Sequence, residues 1–273
     1  MCINQSDPIV EKVASVLAQD IYNDLAKKAI SNIGDILGDI TAAIKLVSLP
    51  FAILGNQGIK LRQKYTSFLN KTYSNVPCNH QIKPDNSISF PIIQNLIMSF
   101  DKEDILEMYS NLLASASDDR SAKKVHPSFP FIISQLGHLD AVILNLLKKD
   151  PFIPFLEFQT TVSDFPLTSL EPFSIIPGHE LDYYGVSASF NNLQRLGLIR
   201  KQAAILRPDS ASNSYVNIYN SPIFDGIRDF KPSLYEPFNI KLKGGKLELL
   251  QGSFRATNQG LLFLDCCFLN SSK

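Results

Sequence analysis

The chain has no tryptophan, few cysteines and no net charge, and each shortage narrows what it can be. The four cysteines, Cys2, Cys78, Cys266 and Cys267, include no C-x-x-C pair, which argues against a zinc knuckle or a dithiol redox motif. Vicinal cysteines such as Cys266 and Cys267 rarely bridge each other, so the reading is four reduced thiols in a reducing cytoplasm. Lysine and arginine number 26, and so do aspartate and glutamate. Proteins that live on a phosphate backbone usually carry a basic excess, because cationic side chains replace the released counterions. The whole chain lacks that excess, although residues 191–260 hold more Lys and Arg than Asp and Glu. Long apolar runs are missing too. Leu46 to Ile59, at about 14 residues and broken by Pro50, Gly55 and Gly58, falls short of the ~20 residues a bilayer span needs. The start, MCINQSDPIVEK, lacks the basic region and apolar core of a secretory signal. No G-x-S-x-G elbow, Walker loop, G-x-G-x-x-G or H-E-x-x-H occurs. His80, His126, His138 and His179 show no metal-ligand spacing. The expectation is therefore a protein with no catalytic residues, no cofactor and no metal.

What is present suffices for a core: 45% of residues are hydrophobic and 19% charged, a balance that argues against general disorder. The composition divides the chain into three regions, 1–75, 76–150 and 151–273. In the first, Asp7–Pro8 is a helix start, and Ile9, Val13, Val16, Leu17, Ile21 and Leu25 form one apolar stripe at three- and four-residue steps. A second stripe, Ile30 to Val47, ends at Pro50, and a third helix runs from about Lys60 to Tyr73. Prolines 77, 84 and 91 predict an extended connector over Val76 to Pro91. In the second region Asp101 is placed to cap a helix through Leu113, with Glu103 and Asp104 in its first turn. His126–Pro127 opens another helix, and Leu139 to Leu147 is a third, ending in Lys148 and Lys149. In the third region the prolines from Pro151 to Pro177 predict a long irregular or partly extended segment. A helix from about Val186 to Leu196 follows, with Gly197 where a left-handed residue belongs. Ile199 to Arg207 and Tyr215 to Tyr219 read as strands, Asn239 to Leu250 as a hairpin about Gly244–Gly245, and Thr257 to about Leu269 as a final helix. The fold class expected is mainly α, with helical N-terminal and central regions and a C-terminal α+β part like a winged helix.

Several residues invite a functional reading. His126, with Asp118, Asp119 and Ser128 near it in sequence, has the residue types of acid–base chemistry. The plainer reading is that the imidazole fixes a turn while Phe129 packs. Ile33, Leu37, Ile40, Ile44 and Phe51 form a candidate surface for membrane or partner, although Asp35, Asp39 and Lys45 make insertion costly, at roughly 3 kcal/mol each at mid-bilayer. Gly34 and Gly38 read as simple helix packing. Arg195, Arg200 and Lys201 are candidates for nucleic-acid contact through the winged-helix-like segment; neutral overall charge favours a protein-contact or structural role there.

FDKEDILEMYSNLLASASD, residues 100–118, followed by HPSFPFIISQLGHLDAVILNLL, residues 126–147, resembles the bacterial abortive-infection alpha family (Abi-alpha). The shared features are Asn111, Leu112 and Leu113 of an N-L-L-A-x-A-x-D motif, His126, Pro127 and Phe129 of an H-P-x-F motif, and Ile133 to Leu136 of an I-x-x-L segment. More weakly, NNLQRLGLI, residues 191–199, resembles a later helix end of the family, and ATNQGLLFLDCC, residues 256–267, its final T-x-x-G-x-x-F-x-x-x-C pattern. One departure is Gly137-His138-Leu139-Asp140, where the family carries Ser-Pro followed by two acidic residues. The resemblance implies defence against phage, without catalytic residues to carry over. The expected partner is an unknown protein or phage component, with nucleic acid less favoured and a conditional membrane contact left open. The expected location is the cytoplasm, with or without peripheral contact at the inner membrane.

Overall fold

The computed structural model describes residues 56–162, 165–168, 171–203, 215–222, 224 and 246–268. The stripes from Ile9 to Val47, the candidate surface Ile33, Leu37, Ile40, Ile44 and Phe51, and the turn Gly244–Gly245 lie outside these residues. Among the described residues, helices predominate and four strands form a small sheet. Where composition suggests three regions, the chain divides into two compact units. One holds described residues 56–138 together with 262–268, and the other 139–261.

The first unit is helical. Its elements are α1 (Asn56–Ser74), α2 (Asn86–Leu96), α3 (Glu103–Ala116) and the short α4 (Phe129–Ile133). It also holds the later turns of α7 (Asn258–Cys267). Helix α3 is the centre of the unit: every residue from Met108 to Ala116 is buried. A helix buried on all sides must satisfy its polar side chains internally. Ser110 does so with Thr72 of α1 (3.0 Å), and the Tyr109 hydroxyl donates to the Pro130 carbonyl (3.3 Å). Tyr65 of α1 donates to Ile93 of α2 (3.1 Å). Burial pushes both tyrosine hydroxyls far above their ordinary range, so they stay protonated.

Two expectations change here. The stretch from Val76 to Pro91 is not an extended connector throughout: after the 3-10 turn Cys78–His80, Asp85 caps α2 by accepting the Ser87 N–H (2.7 Å), and Pro91 lies inside that helix. The carbonyl that Pro91 leaves without a donor belongs to exposed Ser87, where water can satisfy it. Nor does Asp101 cap α3. The cap position is Lys102, which makes no side-chain cap bond, and Asp101 instead accepts from Lys64 (3.1 Å).

The second unit takes in most of α5 (His138–Lys149), then β1 (Ile153–Val162), β2 (Phe165–Thr168), α6 (Tyr183–Arg195), β3 (Ile199–Ala203) and β4 (Lys246–Ala256). The strand order is β2-β1-β4-β3, antiparallel throughout. The proline-bearing stretch, expected to be irregular or partly extended, is extended over β1 and β2, which pair with each other. Pro154 is tolerated because of parity. The Leu156 N–H points away from β4, to Phe173 (2.9 Å), and Pro154 two residues earlier shares that side, where β2 does not reach. The first half of β1 is buried on both faces. Phe155 meets Phe254 of β4, which stacks on Phe190 of α6 at 4.1 Å, while Leu156 joins Phe173, Tyr215 and Ile218.

Residues 215–219, expected as a strand, are helical. Tyr215 and Ile218 are buried while Val216 and Asn217 are exposed, a spacing of three that one helix face supplies and a strand's alternation cannot. The strand that pairs with β3 is therefore β4, not the expected neighbour.

Candidate functional site

Asn111 and Ser115 lie one helical turn apart on α3, so they share a face. The Asn111 amide donates to the Cys267 carbonyl and the Ser115 hydroxyl to the Cys266 carbonyl, each at 3.0 Å. The last carbonyls of a helix have no partner within it. Two side chains of the N-L-L-A-x-A motif therefore cap the end of α7, and Leu112 and Leu113 fill the core beside them. Cys267 is fully buried, which pushes its thiol well above its ordinary value and keeps it unreactive. Cys78 is exposed, and none of Cys78, Cys266 and Cys267 is in a disulfide.

In the H-P-x-F motif, His126 Nδ1 accepts the Ser128 N–H (3.2 Å) and lies 2.8 Å from the Ser128 hydroxyl. Both contacts are local to an exposed turn around Pro127. Phe129, by contrast, is buried edge-on against Phe263 of α7, with ring centroids 5.3 Å apart. Near the start of α3, His138, where the chain departs from the family's Ser-Pro, pairs with Asp104.

Asp118 and Asp119 face His80, a partner nearly forty residues away that no local spacing could reveal. Gln81 and Asp118 form an antiparallel bridge, with Ile82 N–H to Ser117 carbonyl at 2.8 Å and Asp119 N–H to His80 carbonyl at 3.1 Å. This backbone pairing brings one ligand atom from each of His80, Asp118 and Asp119 within 4.8 Å of one another. One imidazole and two carboxylates are donors that a divalent cation can use. Each already has a protein partner. His80 Nδ1 is 2.9 Å from Asp119, and Arg120 grips both oxygens of Asp118 at 2.6 to 3.2 Å. The Arg120 guanidinium holds the Asp118 carboxyl below the usual carboxylate range. Two carboxylates facing one guanidinium and one imidazole form a closed network that pins the loop after α3.

In the second unit, Gly197 ends α6 with a φ of +72°, which favours glycine. Leu198 N–H bonds the Leu193 carbonyl (3.0 Å) and Gly197 N–H the Gln194 carbonyl (2.9 Å), the paired bonds of a Schellman cap. Thr257 then caps α7. Its hydroxyl oxygen accepts the Gly260 N–H (2.9 Å) while donating to the Gly197 carbonyl (2.6 Å). A Cβ on Gly260 would stand 1.9 Å from the Leu198 carbonyl oxygen, so this contact requires glycine. Each element of the T-x-x-G-x-x-F-x-x-x-C feature thus has a contact within its own unit.

The three candidate cations part company. The Lys201 ammonium is 2.5 Å from the buried Glu157 carboxylate and lies over the Phe155 ring. Arg195 holds the Asn192 amide oxygen at 2.8 Å on α6. Arg200 is exposed on β3.

Motif side chains thus build the two ends of α7, and the motif residue Asp118 joins His80, Asp119 and Arg120 in the loop after α3. The abortive infection alpha model matches residues 57–267, and the chain belongs to that family. Membership implies a role in abortive infection, the defence of a bacterial population against phage. No curated protein and no solved structure matches the chain. Among the described residues no helix is long and apolar enough to cross a membrane.

Proposed function

We propose that this protein acts in phage defence as a non-enzymatic effector or regulator, through contact with a protein partner or a phage component. The observation that carries the reading is the use to which the family's motifs are put. Asn111, Ser115, Phe129 and Thr257 are engaged in capping and packing, and His126 holds a local turn. The motifs therefore maintain a shape, and a maintained shape serves recognition. A membrane-contact version of this reading places its surface at Ile33, Leu37, Ile40, Ile44 and Phe51.

The test is infection of bacteria that carry or lack the gene, with plaque number, phage yield and cell survival followed together. The expected outcome is fewer plaques and a smaller burst with the gene present, and the same protection from a variant with His126→Ala. Equal yields with and without the gene would sink the defence role. Protection lost on His126→Ala in a folded protein would overturn the non-enzymatic part.

A nucleic-acid-binding regulator is the second reading, supported by exposed Arg200 in a locally basic stretch. It is the weaker one, because Lys201 is committed to Glu157.

A further inference from the structure

Arg200 of β3 and Arg255 of β4 are direct partners in the antiparallel register. Directly opposed residues project from the same face of a sheet, with Cβ atoms about 4.5–5.5 Å apart, and like charges in that position repel. Most sheets avoid the arrangement or relieve it with a carboxylate. Here, among the described residues, neither arginine has an acidic partner. Their strand neighbour Lys201, which projects from the opposite face, does have one, in Glu157. Arg255 is held by an aromatic ring instead: its guanidinium carbon lies 5.7 Å from the centroid of Phe152. Stacking of this kind orients the planar fork while leaving its charge unneutralised. The Arg255 Nε is buried and donates to nothing, a position that ordinarily costs stability unless an acceptor arrives. The same face carries Ser253, buried directly opposite Gln202 and two residues from Arg255.

We propose that Arg200 and Arg255 form a clamp for a phosphate group, with the two guanidiniums sharing its oxygens across the β3–β4 pair. An oxyanion between them converts the cross-strand repulsion into attraction and gives the Arg255 Nε an acceptor. Arginine's forked donors suit a tetrahedral phosphate, which can take one fork on each side. The inference is independent of the phage-defence reading, since it rests on the register, the missing counter-charges and the setting of Arg255. The phosphate belongs either to a free anion or to a nucleic-acid backbone, and the two sources separate by experiment.

The experiment measures the melting temperature of the full chain with inorganic pyrophosphate, with a short single-stranded DNA oligonucleotide, and with sodium chloride at matched ionic strength. A ligand that binds the folded state raises the melting temperature with its concentration. A rise with pyrophosphate identifies a free-anion site. A rise with the oligonucleotide alone identifies a backbone site, whose affinity then falls steeply with salt. Either rise must disappear in Arg200→Gln and in Arg255→Gln. The decisive variant is Arg200→Glu. It places opposite charges across the strands, so the ligand-free protein should melt higher than the parent while the ligand-induced rise is lost. The proposal is overturned if neither phosphate probe outdoes sodium chloride, if the rise survives both glutamine variants, or if Arg200→Glu lowers the melting temperature of the free protein.

Discussion

At the scale of single residues, Gly260 shows two effects of opposite sign that magnitudes can rank. Within a helix, replacing glycine by alanine ordinarily gains about 1 kcal/mol. At this position the new Cβ would lie 1.9 Å from the Leu198 carbonyl oxygen, which also accepts the Thr257 N–H at 2.9 Å. A backbone atom bonded on its other side cannot step back cheaply, and overpacking of this order costs about 1–3 kcal/mol or more. Gly260→Ala should therefore destabilise the protein, and a lowered thermal midpoint would show it; a raised midpoint would mean that β3 and α7 can part without cost. The sequence made Gly260 visible as a motif position but was silent on the reason, because the carbonyl it admits lies some sixty residues earlier. His80 and Asp119 teach the same lesson. Each was legible as a titratable residue, yet only the bridge between Gln81 and Asp118 brings them together.

Among the elements, those set by local patterns were legible. The apolar spacing and charged ends of α3 and α5 and the Gly197 stop after α6 follow from three- and four-residue periodicity and from cap chemistry. Elements that break local rules were not. Strand β1 contains Pro154, acceptable because its missing N–H falls on an unpaired side, and α2 contains Pro91 because the carbonyl it frees is wet. The helical segment 215–219 is drawn into place by Leu156 and Phe173, which no window around Tyr215 contains. The capping of α7 is also a relation between elements. Asn111→Ala or Ser115→Ala leaves a buried carbonyl of α7 without its donor, at a cost of about 1–3 kcal/mol each. Urea midpoints should fall in both variants. A change near zero would mean that water enters that helix end.

For the whole molecule, zero formal charge means that stability depends on pairing more than on collective repulsion. The Asp118–Arg120 pair gives that a pH signature. Because Arg120 lowers the folded-state pKa of Asp118, the contribution is complete above the unfolded aspartate value of about 4 and is lost as pH falls through the lowered one. Asp118→Asn should therefore be less stable than the parent at pH 7, with the gap narrowing in urea denaturation as pH falls below about 4. A gap that stays constant as the aspartates are titrated would mean that the pair carries no proton linkage.

The first unit is closed by a helix that lies far from it along the chain. Asn111 and the Cys267 carbonyl it holds are separated by 156 positions, with the second unit encoded in between. At the ordinary pace of synthesis, 5–20 residues per second, the ribosome needs roughly 10–30 s to travel that interval. For that long a nascent chain holds the donors of α3 with nothing to receive them. A chain stopped before α7 lacks the carbonyls that Asn111 and Ser115 hold, and one stopped before β4 also lacks the strand that pairs with β1 and β3. Completion of the first unit's core therefore waits until α7 has been synthesised.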